Sequence, residues 1–222
     1  MFVISLTTIP SRFKYLNALF SSINRQVLKP DKVILNIPHI YNRFKKFNIE
    51  ELSYLSYPFL EINRCNDFGP ATKIIPTLEK VKDEDIILFI DDDRIPDFMF
   101  TNRFIENHKS NPDKCIAGLK YYEPKIKNYM ILGCGGVLIK RKMFENHKYN
   151  DILKKCPHSF YVDDIVLSML LIKNNIEVES LDYDPRRARY EKNDDLYSEK
   201  GNFERFKSND ITMCFLKKEF DI

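Results

Sequence analysis

Three consecutive carboxylates, Asp91, Asp92 and Asp93, follow directly on the apolar run Ile86-Ile87-Leu88-Phe89-Ile90. Like charges this close repel one another. A hard divalent cation, Mn²⁺ or Mg²⁺, relieves that repulsion together with the phosphates it carries, because such ions prefer oxygen ligands. A solvated acidic turn is the plainer reading of the same residues. A second acidic pair, Asp163-Asp164, stands in front of an apolar stretch. Acidic residues there cap a helix and complement its dipole. Thr7, Thr8 and Arg12 cluster after the first apolar run. Hydroxyls and backbone N–H groups can meet a base or ribose, and an Arg can meet phosphate. A simple hydroxyl-capped turn with an exposed Arg fits equally. Gly133-Cys134-Gly135-Gly136 allows backbone to approach a sugar closely, or marks a bulge. Arg186, Arg187 and Arg189 beside Tyr183 and Tyr190 are a candidate anion-facing lid, with an ordinary charged loop as the alternative.

These residues need elements to hold them. The short, β-branched run before Asp91 reads as a strand buried on both faces of a parallel sheet. Such strands end at the carboxyl edge, where open α/β sheets bind ligands. Strand-like and helix-like runs alternate through the first two thirds, the pattern of an α/β domain with a mostly parallel central sheet and flanking helices. Strands are expected at Phe2–Leu6, Val33–Ile37 and Phe59–Asn63. A helix is expected from Arg12 to about Gln26 behind a capping Ser11, carrying Phe13, Leu16, Leu19, Phe20, Ile23 and Val27 on its apolar face. Further helices are expected at Asn48–Ser56, at Ala71–Val81 with a kink or restart at Pro76, and at Asp97–His108. Cys115 to Lys140 reads as strands, and Val162–Lys173 as an amphipathic helix. From Asp182 to about Phe203 the pattern dissolves into charge and Tyr, a candidate mobile loop before a short final helix.

The chain of 222 residues fits one domain. A net charge of +3, from 35 basic against 32 acidic residues, gives no argument for a nucleic-acid partner. No apolar stretch approaches the roughly 18 residues of a transmembrane helix. Met1–Leu6 lacks a basic leader and reads as a strand. Five cysteines without CxxC spacing suggest neither a disulfide framework nor a zinc site. A cytoplasmic protein is therefore expected, one that could also sit at a membrane surface, and in the host cytoplasm if the source is viral.

Five stretches in this order, SLTTIPSRF, DFGPATKIIPTL, IILFIDDDRIPDFM, GCGGVLIKRKMF and YVDDIVLSMLL, resemble the nucleotide-sugar-dependent glycosyltransferases of the GT-A fold. The likeness is to small family-2-like enzymes of bacteria and large viruses, and it covers Met1 to about Lys173. It implies a core over residues 1–181, with residues 182–222 a C-terminal loop and short helix that could act as a lid. It implies that Asp91 meets the ribose or donor sugar and shares a metal with Asp93, which ligates Mn²⁺ or Mg²⁺ bridging the two phosphates. Asp92 would assist either task. Asp164 would be the catalytic base, with Asp163 its capping or orienting partner. Thr7, Thr8 and Arg12 would face the nucleotide, Asp67 the base, and Lys73 the base or the phosphates. The donor implied is a nucleoside diphosphate sugar, a UDP-sugar foremost, and the acceptor a hydroxyl on a glycan, lipid or protein. Many metal-dependent relatives add a late His ligand, whereas the last His here is His158, ahead of the acidic pair.

Two other functions fit parts of the chain. A sugar-phosphate nucleotidyltransferase shares the architecture, but its Gly-rich signature belongs after the first strand, and Gly69-Pro70-Ala71-Thr72-Lys73 follows the third. A non-catalytic nucleotide- or carbohydrate-binding module would be a decayed transferase. Keeping both acidic groups argues against decay.

Overall fold

In the computed structural model, which describes residues 1–44, 47–144, 146–187 and 199–222, the apolar runs are strands of one sheet. They are β1 (Phe2–Thr7), β2 (Lys32–Pro38), β3 (Leu60–Cys65), β4 (Ile86–Phe89), β6 (Cys115–Glu123), β7 (Asn128–Lys140) and β8 (Val178–Ser180). The order across the sheet is β3-β2-β1-β4-β7-β6-β8. Pairing is parallel except at β7, which runs antiparallel to both β4 and β6. The architecture is therefore the expected single α/β domain with a mostly parallel sheet and helices on both faces. Its chain order reverses between β1 and β4, since β2 and β3 build outward on one side and β4 lies on the other. Loops leaving the carboxyl ends of these two strands part from each other and open a crevice, the place where such sheets bind ligands.

Two apolar cores sandwich the sheet. One joins Phe13, Leu16, Leu19, Phe20 and Ile23 to Leu6, Leu35, Leu88, Phe100 and Phe104. The other joins Ile74, Ile75, Leu78, Phe89, Val137 and Ile139 to Ile165, Val166, Met169, Met213 and Leu216. No described helix is long and apolar enough to cross a membrane.

Several elements differ from expectation, each for a local reason. The first helix is a 3-10 turn at Pro10–Tyr15 followed by α1 (Leu16–Asn24). Ser11 caps nothing there, and Val27 lies beyond the helix, 61% exposed. Arg12 turns inward to an acidic partner, which tightens the first turn. The stretch after Phe68 is two 3-10 turns, Gly69–Lys73 and Thr77–Glu79. Pro76 has no N–H to continue a helix across them. The segment at 48–56 is a single 3-10 turn, Ile49–Leu52, capped by the Asn48 side chain. Helix α2 (Phe100–Ser110) starts later than expected, because Asp97 accepts from the Met99 N–H at 2.8 Å in front of it.

Residues 94–95 and 186–187 form a separate two-stranded pair, β5 (Arg94–Ile95) with β9 (Arg186–Arg187). Helix α3 (Asn146–Lys155) precedes α4 (Asp163–Lys173), which is buried nearly all round rather than amphipathic. The cause is α5 (Glu199–Phe220), which packs Met213 and Leu216 into the same core as α4. With 22 residues, α5 is far from the short final helix expected, and it begins inside the stretch read as loop.

Candidate active site

The crevice between β1 and β4 is lined by ion pairs between segments far apart in sequence. Arg12, on the first 3-10 turn, pairs with Asp92. The Thr8 hydroxyl donates to the same carboxylate at 2.6 Å. Thr8 is itself held from behind, since the Tyr41 hydroxyl donates to its carbonyl at 2.8 Å. These contacts lock the loop after β1 to the loop after β4. Asp93 faces two guanidinium groups, Arg94 at 3.7 Å and Arg12 at 3.9 Å. Arg94 reaches on to Asp184 at 2.7 Å, so the segment leading into β9 lies beside the acidic triplet.

Lys73 joins the two acidic groups. Its ammonium is 2.7 Å from Asp91 and 2.8 Å from Asp163, and the residue is only 3% exposed. The turn that carries it is fixed by a buried ladder across the sheet. Ser5 donates to the Lys73 carbonyl and lies 2.6 Å from the Thr77 hydroxyl. Asn36 donates to Thr77 at 2.8 Å, and Asn63 to Asn36 at 2.7 Å. Asp91 keeps 32% of its side chain exposed to the crevice despite the ion pair. Among the described residues, Asp164 takes no such cation within bonding distance. Its carboxylate accepts from the Gly133 N–H at 3.0 Å, and its carbonyl accepts from Ser168 at 2.6 Å. A Cβ at position 133 would lie 2.6 Å from the Lys73 ammonium and 2.8 Å from the Asp164 carboxylate, so any side chain there would push one of these charged ends aside. Opposite the neighbouring glycines, the register of β6 shifts between Ala117 and Leu119, which is the bulge read as the alternative use of this cluster.

Environment separates these carboxylates. Burial works against the Lys73 charge, and Asp163, Asp91 and Asp164 more than reverse that, so its pKa rises well above the ordinary value. Burial pushes Asp91 up, and Lys73, Arg94 and Arg12 outweigh it, leaving the carboxyl below its usual value. Asp92 is pushed up to about 6 by burial, with Arg12 and Thr8 opposing. Asp164 is raised to about 7 by burial and by the negative charge of Asp163, with Lys73 opposing. A carboxyl that titrates near neutrality can accept a proton from a hydroxyl under working conditions.

The fold is shared with nucleotide-binding transferases. Superposition on S. aureus TarS residues 1–349 in complex with UDP-GlcNAc gives a TM-score of 0.58 at 16% identity, over 100% of this chain and 73% of that one. Against full TarS the TM-score is 0.54, and this chain spans 43% of its length. The Francisella tularensis 2-C-methyl-D-erythritol 4-phosphate cytidylyltransferase (IspD) matches at TM-score 0.55 and 14% identity, over 91% of this chain and 98% of that one. The 4-diphosphocytidyl-2C-methyl-D-erythritol synthase from Anaerococcus prevotii matches at 0.54 and 14%, over 93% and 95%. No protein-family profile and no curated protein matches the sequence. At these identities the likeness is one of GT-A-like fold.

Within this GT-A-like fold, Thr8, Arg12, Lys73, Asp91, Asp92, Asp93, Asp163 and Asp164 come together around the crevice. Two other candidates find their bonding partners outside this set. Thr7 donates to the Asn36 carbonyl on β2 at 2.8 Å. Asp67 accepts from the Asn42 and Gly69 N–H groups at 2.7 and 2.9 Å and so orders the loop after β2. Of the lid residues, Arg189 and Tyr190 lie outside the described residues. The Tyr183 hydroxyl donates to Asp97 at 3.0 Å. Among the described residues, no group of three or more His, Cys, Asp or Glu side chains is disposed to hold a metal ion.

Sequence reasoning missed Arg94, Tyr41 and the Ser5–Thr77–Asn36–Asn63 ladder. Arg94 directly follows the aspartates, and that adjacency was a usable signal. Nothing in the local pattern marks Tyr41 or the ladder, whose members meet only through the sheet register.

Proposed function

We propose that this chain is a glycosyltransferase that moves a sugar from a nucleoside diphosphate sugar, a UDP-sugar foremost, to an acceptor hydroxyl with inversion, aided by Mn²⁺ or Mg²⁺. The observation that carries the reading is Lys73, which draws the acidic groups of β4 and α4 into one site, where burial and the charge of Asp163 raise the Asp164 carboxyl to about 7. Asp164 takes the acceptor proton as the hydroxyl oxygen bonds to the anomeric carbon. The bond from that carbon to the diphosphate breaks, and the nucleoside diphosphate leaves with the electron pair. Asp163, pinned by Lys73, sets the start of α4 and with it the direction of Asp164.

The acidic set fits a hard cation. Among the described residues, five carboxylates (Asp91, Asp92, Asp93, Asp163, Asp164) share three basic side chains, Lys73, Arg12 and Arg94, the last of which also serves Asp184. Such ions keep several waters and substrate phosphates and need only one or two protein carboxylates. Asp93 and Asp91 would hold the ion, which would stabilise the charge of the departing diphosphate as a Lewis acid.

The likeness to cytidylyltransferases over nearly their whole length supports nucleotidyl transfer as a second reading. There the attacking group is a phosphate, already ionised, which needs no base, so a near-neutral Asp164 has no task. The loop from Thr7 to Arg12 also lacks glycine, and its cation is engaged with Asp92. One assay separates the two. A panel of nucleotide sugars with Mn²⁺, Mg²⁺ or EDTA should yield metal-dependent nucleoside diphosphate, slowly to water and faster with acceptor. Pyrophosphate released from a nucleoside triphosphate and a sugar phosphate would reverse the assignment. A donor affinity unchanged in Asp93→Ala would remove the metal from it.

A further inference from the structure

The β6–β7 hairpin reaches past the end of β4 and overhangs the crevice. Pairing of β4 with β7 stops at Phe89 opposite Val137, while the hairpin continues through Leu119–Leu132, Tyr121–Met130 and Glu123–Asn128. Residue pairs opposite each other share a face of the sheet. Met130 is fully buried in the core that α4 closes with Ile165, Val166 and Met169, so Tyr121 lies on the α4 side, where Asp163 and Asp164 begin the helix. The residue nevertheless stays 37% exposed. The next pair along, Tyr122 and Tyr129, points to the opposite face. Those two rings pack edge to face at 5.6 Å, with the Lys120 ammonium 4.4 Å from the Tyr129 centroid. Tyr121 makes no such aromatic pair among the described residues.

We propose that the acceptor is a carbohydrate, with a pyranose ring laid on the exposed face of Tyr121 so that one of its hydroxyls reaches Asp164. The inference rests on the transferase reading and names the acceptor class for it. An aromatic face carries negative charge density and attracts the polarised C–H groups on one face of a sugar ring. Burial raises the Tyr121 hydroxyl, and Glu123 and then Asp164 add to it, as they do when both carboxylates lie within electrostatic reach of the ring. Those same carboxylates suit a ligand rimmed with hydroxyl donors. A lipid chain would have to bury apolar surface among charges, which is unfavourable. Met130, opposite Tyr121, lies three residues before Gly133, whose N–H meets the Asp164 carboxylate, so the ring and the base are placed along the same stretch of β7.

Saturation-transfer NMR on the full chain with UDP bound tests this, using methyl pyranosides as probes and the matching open-chain alditols as controls. The alditols carry the hydroxyls without a ring face. At least one pyranoside should receive saturation on one face of its ring, and its alditol should not. Tyr121→Ala, verified as folded by its melting curve, should weaken that binding at least tenfold. Tyr121→Phe should retain it, and Tyr122→Ala should leave it unchanged. Absence of pyranoside binding to the UDP-bound wild type, or equal binding by Tyr121→Ala, would overturn the acceptor assignment while leaving the transferase reading standing. Loss of both nucleotide binding and nucleoside diphosphate release in the wild type would instead overturn the reading beneath it.

Discussion

The two acidic groups of the crevice use one residue type under opposite conditions. At the end of β4 each carboxylate faces a basic side chain: Asp91 Lys73, Asp92 Arg12, and Asp93 Arg94. At the start of α4, Asp163 shares Lys73, whereas Asp164 bonds only to a backbone N–H at its carboxylate among the described partners. Lys73 thereby holds Asp91 as an anion, while burial brings Asp92 closer to taking up a proton. The second group is divided, one member pinned and the other left able to take up a proton. Role follows from the partner supplied by a distant segment, and spacing within the motif does not set it.

Substitutions at Asp164, Lys73 and Gly133 break this contrast in turn. Asp164→Asn removes the base and keeps its shape, so transfer should fall about a hundred- to ten-thousand-fold. Melting shifts with UDP should persist, and if turnover survived intact Asp164 would be a helix cap alone. Lys73→Met leaves Asp91 and Asp163 without their shared cation. Removing one partner of a buried ion pair costs about 3–5 kcal/mol, readable in urea unfolding. Pairing it with Asp163→Asn should recover part of that loss, because one of the two stranded charges is gone. A single-variant loss below about 1 kcal/mol would mean that the ion pair does not join the two groups as described. Gly133→Ala should cost about 1–3 kcal/mol by overpacking and should depress turnover more than UDP binding, since the added Cβ meets Lys73 and Asp164.

The same contrast explains what could be read from the sequence. Strands β1, β2 and β4 are near-continuous apolar runs, and local composition is enough to find them. The acidic triplet and pair were visible as well, each tied to a strand end or helix start. Helical period misled wherever burial came from an unseen neighbour. Helix α4 read as two-sided because nothing announced that α5 would cover its outer face with Met213 and Leu216. The Gly69–Lys73 turn read as helix because the Ser5 bond to its Lys73 carbonyl comes from a strand 68 residues away. An exposed Arg12 was one of two readings of its turn, yet Arg12 and Lys73 are both buried, and their acids lie 80 and 18 positions further along the chain. Sequence spacing carries no record of such pairings.

The smallest effect expected is one of pH, and it sharpens the division most directly. Asp164 keeps its proton to about 7 and Asp92 to about 6 in the folded chain, against an ordinary value of 3.8. The folded state therefore binds more protons than the unfolded one between about pH 4 and 7, so these two groups make stability decline as pH rises through that window. Asp91 acts in the other direction. Its lowered pKa adds stability that is present above its ordinary value and is lost only as pH falls below it. Melting temperature should consequently fall from pH 5 to pH 8, while turnover rises with a midpoint near 7 as Asp164 ionises. Asp164→Asn should flatten much of the melting trend, because Asp92 is then the one raised carboxyl of the crevice left in the window, and His108, lowered by burial, pulls the other way. A wild-type melting curve that climbed over the same range would mean that Asp164 is ionised throughout and that the two acidic groups are not divided after all.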